Sequence, residues 1–181
     1  FWNIMSYRDR DVFIVGACRT PIGRGKSNGA LHNYHPVDLL AHTLKGVVKQ
    51  ANFPPSQVED VIGGIVSPLR EQGANVPRLA ALKAGFPQEV PAVQLNRMCG
   101  SSQQCIHFAS QAIGSGDMDA VIACGVEMMS VVKMGSDNNL MEHPELVTSL
   151  PFQLYHQGQS AELICEKYSL TRPELDAFSG K

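Results

Sequence analysis

The stretch Leu95-Asn-Arg-Met-Cys-Gly-Ser-Ser-Gln-Gln104 sets one cysteine between an apolar run and a segment with helical spacing. A thiol becomes a useful nucleophile when its thiolate is stabilised, and a helix N-terminus does this with free N–H groups and the positive end of its dipole. Cys99 stands where that would happen. Gly100, Ser101 and Ser102 behind it are small, so an electrophile has room to approach the sulfur, and the Cys99 N–H is placed to donate to a developing oxyanion. Arg97 adds positive charge if it faces inward. The competing reading is packing, since free cysteine is among the most buried residue types. Cys18 and Cys124 close apolar runs and read as core, as do Cys105 and Cys165 inside helix patterns.

For Cys99 to work, a strand must deliver it and a helix must start behind it. Pro91-Ala-Val-Gln-Leu95 reads as that strand, and a helix is expected from about Gly100 to Ile113, breaking at Gly114-Ser-Gly116. The same alternation runs through the chain. Val12-Phe-Ile-Val15, within Asp11 to Cys18, reads as a strand buried on both faces. Pro36 to Ala51 places Val37, Leu40, Leu44, Val47, Val48 and Ala51 on one helical face. Val61-Ile-Gly-Gly-Ile-Val66 is a second strand, Asn75 caps a helix ending at Gly85, and Ala120-Val-Ile-Ala-Cys124 is a fourth strand. Strand-helix alternation of this kind predicts an α/β layered domain with a mainly parallel sheet, over residues 11–130. From 131 to 181 the pattern changes: Gly135 to Asn139, His143-Pro144 and Leu150-Pro151 read as an irregular excursion. Helices resume near Gln159 to Tyr168 and Pro173 to Phe178.

Composition narrows the partners. With 181 residues, 44% apolar residues and a formal charge of −2, the chain can bury a core and offers no basic footprint for nucleic acid. Five cysteines without CxxC or Cys/His ligand spacing fit free thiols in a reducing compartment and no metal site. No apolar run reaches the roughly 18 residues of a membrane span, and no leader is evident, so a cytoplasmic location is expected, with mitochondrial matrix or peroxisome as alternatives. Met5 reads as the natural start, with Phe1 to Ile4 upstream of it.

Asn96-Arg-Met-Cys-Gly-Ser-Ser-Gln-Gln104 resembles the acylation motif of the thiolases, V-N-R-x-C-[GS]-S-[GS]-x-Q. Five more stretches resemble the family in the right order. They are Cys18-Arg-Thr-Pro-Ile-Gly23, Gly73-Ala-Asn-Val-Pro-Arg78, Ala84-Gly-Phe-Pro-Gln-Glu-Val-Pro91, Cys124-Gly-Val-Glu-Met-Met-Ser130 and His156-Gln-Gly-Gln-Ser-Ala-Glu162, the last followed by the Thr171 to Phe178 pattern. The resemblance implies a thiolase-like layered fold, one βαβαβαββ half plus the start of a loop domain. It implies acyl transfer on acyl-CoA and 3-ketoacyl-CoA through an acyl-cysteine at Cys99, a reaction of lipid metabolism. It places His156 at the CoA thioester end, with Gln157 where the family usually has Met. It also implies coenzyme A thioesters as substrates, no bound cofactor or metal, and a homodimer or homotetramer. Asn96, Arg97, Arg19 and Glu127 read as anchors of turns, with a general-base role the alternative for Glu127.

The family's later G-H-P histidine and C-x-G-G cysteine have no counterpart in these residues. His32, His35, His42 and His107 read as packing or surface groups. The sequence therefore looks like an N-terminal half, inactive alone. Two other readings stand beside it: a non-catalytic half that binds CoA thioesters or assembles with a partner, and a condensing enzyme of the ketoacyl-synthase kind. The latter normally carries Thr-Ala-Cys-Ser at the nucleophile.

Overall fold

The structure, a computed structural model, describes residues 10–137 and 143–181. The expected start at Met5 and the tract Asn138–Asn139 of the excursion lie outside them. The chain divides after Asp137 into two compact units.

The first unit follows the expected alternation. Helix α1 (Pro36–Gln50) starts on Pro36 at its first position, with the His35 ring accepting the Val37 N–H, and turns Val37, Leu40, Ala41 and Leu44 inward. Strand β1 (Asp60–Gly64) is buried along most of its length and leads to helix α2 (Val76–Ala84), which Asn75 caps by accepting the Arg78 N–H. Gly85, at φ 88°, ends α2 in the left-handed conformation. Strand β2 (Ala92–Leu95), helix α3 (Ser101–Ser115) and strand β3 (Val121–Gly125) complete the series.

All pairings are parallel, in the order β2-β1-β3, with Ile62 opposite both Val93 and Ala123. Neighbouring glycines of β1 show how the layers stack. A Cβ on Gly63 would lie 2.2 Å from the Pro77 ring of α2, and one on Gly64 would lie 2.6 Å from the Ser102 nitrogen of α3. Because successive residues of a strand point to opposite faces, α2 and α3 cover opposite faces of β1. Val61, Ile65, Val76, Ala80, Ala81, Phe86 and Val90 join the inward face of α1 in one apolar cluster.

The expected first strand is corrected. Asp11 to Cys18 pairs with no strand, and Phe13, Ile14 and Val15 are exposed by 75%, 82% and 71%. Its polar groups go to α1 instead: the Ala17 N–H donates to the Gln50 side chain at 3.1 Å and the Cys18 thiol to the Thr43 carbonyl at 3.2 Å. An apolar β-rich run becomes a strand only where a ladder partner meets it, and among the described residues none does.

In the second unit the irregular excursion contains a short helix, α4 (Pro144–Ser149), that lacks the length to show a periodicity. Helices α5 (Gln157–Tyr168) and α6 (Arg172–Ser179) match the expected segments, each starting with a capping box. No helix among the described residues is long and apolar enough to cross a membrane.

Candidate active site

Five residues, 96–100, join β2 to α3, and Cys99 is exposed immediately before the Gly100 cap. The turn is tied from within. Asn96 Oδ1 accepts the Met98 N–H at 2.8 Å, while Ser101 Oγ accepts the Arg97 N–H at 2.9 Å and donates to the Met98 carbonyl at 2.5 Å. The Gly100 and Ser101 N–H groups close back on the carbonyls of Arg97 and Met98. Met98 sits at φ 48°, a left-handed conformation that a non-glycine residue holds only under constraint.

Two glycines let this turn lie against the sheet. Cβ atoms on Gly64 and Gly125 would meet Ser102 at 2.6 Å and 2.0 Å, so the first turn of α3 reaches the ends of β1 and β3 only because those positions carry no side chain. The helix start, and Cys99 with it, therefore lies at the carboxyl ends of parallel strands, where α/β sheets hold their ligands.

The other thiols differ. Cys105, one turn into α3, is fully buried, and burial pushes its thiol up to about 11. Partly buried Cys124 is pushed up to about 12, by burial first and by its neighbour Cys105 second. Cys165 is partly buried, and Cys18, expected in the core, is exposed because its segment stays out of the sheet.

Of the polar residues expected to anchor turns, Asn96, Arg97 and Glu127 do so, whereas Arg19 follows a segment that joins no strand and reaches only the carbonyl of its neighbour. Glu127 accepts the N–H groups of Val66 at 2.7 Å and Ser67 at 3.4 Å, and the Gln72 amide at 2.9 Å. The Arg97 guanidinium turns to Gln104 on α3, and Arg19 donates to the Thr20 carbonyl. Sequence reasoning missed Gln72. It is wholly buried, and its side chain makes three bonds: its amide nitrogen donates to the Ser67 carbonyl and Glu127, and its oxygen accepts the Met128 N–H; its backbone carbonyl also accepts from Gln94. A glutamine in an aperiodic loop carries no signal of that role.

His156 lies in the second unit as the cap of α5. Its Nδ1 accepts the Gly158 N–H at 3.3 Å, and Gln159 returns a bond to its backbone N–H. A neutral ring that accepts at Nδ1 carries its proton on Nε2. His35 caps α1, His42 and His107 are exposed, and the Nδ1 of partly buried His32 is buried without a partner. Among the described residues no group of three or more His, Cys, Asp or Glu gathers as a metal site.

Comparison with known proteins identifies a family. Residues 12–181 match the family model described as thiolase, N-terminal domain. The chain is 38% identical over 179 residues to the steroid 3-ketoacyl-CoA thiolase of Mycobacterium tuberculosis, covering 93% of this chain and 44% of that protein. It is 40% identical over 173 residues to a 3-ketoacyl-CoA thiolase of Aeromonas hydrophila, covering 95% of this chain and 44% of the relative. The crystal structure of a Bacillus anthracis acetyl-CoA acetyltransferase superposes with a TM-score of 0.63 at 33% identity, over 80% of this chain and 39% of that one. The chain thus spans less than half the length of these relatives.

Proposed function

The chain belongs to the thiolase family, matching its N-terminal domain, and from this we propose that it supplies the acyl-accepting thiol of an acyltransferase acting on acyl-CoA and 3-ketoacyl-CoA. In the proposed step the Cys99 thiolate attacks the thioester carbonyl. With an acyl-CoA a new S–C bond forms, the bond from that carbon to the CoA sulfur breaks, and CoA leaves as a thiol after taking a proton from solvent; with a 3-ketoacyl-CoA the thiolate attacks the 3-keto carbon instead, the C2–C3 bond breaks, and acetyl-CoA leaves after its C2 carbanion takes a proton from solvent. The Cys99 N–H is one donor to the oxyanion, and His156 is assigned to the CoA thioester end by its match to the family's motif alone. The single observation that supports this reading most is the exposed Cys99 on a tied turn directly ahead of α3, while Cys105 on the same helix is sealed in the core.

Glu127 takes no part as a base in this reading, because both its oxygens are engaged by Val66, Ser67 and Gln72. The second unit is read as the start of the family's loop domain. These 181 residues contain neither G-H-P nor C-x-G-G, so on this reading they accept an acyl group without sustained turnover. No resident metal or redox cofactor is assigned. The free thiols suit a reducing compartment, the cytoplasm first. Self-association is part of the proposal, supported by β2, which lies at the edge of the sheet with Val93 44% exposed.

The test is intact mass before and after prolonged incubation with acetoacetyl-CoA, with peptide mapping of any adduct. One acyl group on Cys99, absent from Cys99→Ser, is the expected result. Thioester binding without acylation, or an acyl group on another thiol, would overturn it in favour of a non-catalytic binding half.

A further inference from the structure

Met98 is a methionine in a glycine-like conformation, at φ 48°, one residue before Cys99. Its side chain is 59% exposed, so packing against the core does not force that backbone. What holds it is hydrogen bonding. Its N–H goes to Asn96 Oδ1 at 2.8 Å, and its carbonyl is held by Ser101. The same Asn96 side chain donates through Nδ2 to the Val66 carbonyl at 2.8 Å. Val66 is itself fixed, its N–H bound to Glu127 at 2.7 Å. A run of hydrogen-bonded groups therefore leads from the end of β3, across the end of β1, to the peptide that precedes the thiol.

We propose that Asn96 is the positioning residue of Cys99: its amide grips Met98 on one side and Val66 on the other, and so holds the left-handed turn that presents the thiol. This rests on the reading of Cys99 as acyl acceptor. Asparagine suits the task because its oxygen accepts from Met98 while its separate nitrogen donates to Val66; a carboxylate has no donor for Val66, and a hydroxyl would have to reach both partners from a single atom. Without the grip, only the Ser101 bonds to its carbonyl hold Met98 left-handed, and the turn relaxes toward ordinary backbone conformations.

The experiment follows iodoacetamide labelling of each thiol by peptide mass in the 181-residue protein, with buried Cys105 as the monitor of an intact fold. In the parent protein Cys99 labels ahead of Cys105. Asn96→Ala is expected to slow Cys99 by about five- to tenfold, the scale of an unsupported left-handed residue. Adding Met98→Gly, which takes that conformation freely, is expected to restore most of the rate, a rescue that a general loss of structure would not show. An unchanged rate in Asn96→Ala, or a loss that Met98→Gly leaves in place, overturns the proposal. Should Asn96→Ala expose Cys105, Asn96→Asp decides: it keeps the acceptor for Met98 and loses the donor to Val66, so a smaller slowing supports the grip and none refutes it. Cys99 labelling as slowly as Cys105 in the parent protein sinks the acyl-acceptor reading itself, and the positioning role falls with it.

Discussion

The carboxylate of Glu127 receives the backbone N–H of Val66 at 2.7 Å, joining residues 61 apart in sequence at the carboxyl end of the sheet. Charge-assisted bonds of this kind contribute more than neutral ones, and their donors stay behind unsatisfied if the acceptor is lost. In Glu127→Gln one acceptor oxygen becomes an NH₂ facing other N–H donors. That variant is expected to lose roughly 2 kcal/mol of stability, read as a lower urea midpoint at unchanged slope. Equal midpoints would show that Glu127 anchors nothing.

Glycines of similar appearance should behave in opposite ways. Gly64→Ala drives a methyl to 2.6 Å from the Ser102 nitrogen, so α3 must lift from the sheet or the strand must shift. A cost of roughly 3 kcal/mol is expected, with faster labelling of Cys105 as the helix loosens. Gly114, inside α3 with nothing within 4 Å of its Cβ position, should gain about 0.5–1 kcal/mol when changed to Ala. Thermal melts of the two single variants decide both signs.

The two raised thiols give a pH dependence whose sign follows from linkage. Cys105 and Cys124 titrate near 9 when unfolded and at about 11 and 12 when folded. Between those limits the unfolded chain has lost protons that the folded chain keeps, so stability is full below about pH 9 and falls as pH rises. A slope of roughly 1 kcal/mol or more per pH unit is expected from pH 9 to 11, and Cys105→Ala with Cys124→Ala should flatten it. Urea midpoints across that range, at fixed salt, provide the measurement.

The alkaline effect and the glycine contacts depend on tertiary placement, and this is where the sequence was least legible. Helices α1, α2 and α3 were readable because apolar spacing, Asn75, Pro36 and the glycines at 85 and 114–116 are local signals. Strands β1, β2 and β3 were readable as short apolar runs between turns. Val12 to Val15 is just as apolar and β-branched, yet it stays out of the sheet, because a run of residues carries no information about whether a partner edge is there to meet it. At the site, Cys99 before small residues was visible from type and position. The left-handed Met98 was not, since methionine does not signal that conformation, and Gln72 acts through partners far away in sequence.

His156 has an observed role as a helix cap and a proposed one at the CoA thioester, and substitution can separate them. As the cap of α5 it accepts the Gly158 N–H and sits in a reciprocal pair with Gln159, a role asparagine fills as well. As a donor at the thioester end it needs the N–H on Nε2, which asparagine does not place there. His156→Ala is expected to weaken the start of α5 by about 1 kcal/mol, seen as faster amide hydrogen exchange over Gln157 to Ala161. His156→Asn should keep the protection of the parent protein. If acylation of Cys99 by acetoacetyl-CoA then slows equally in both variants, the ring acts on the thioester; if it slows only in His156→Ala, the histidine is a cap and the thioester finds its donor elsewhere.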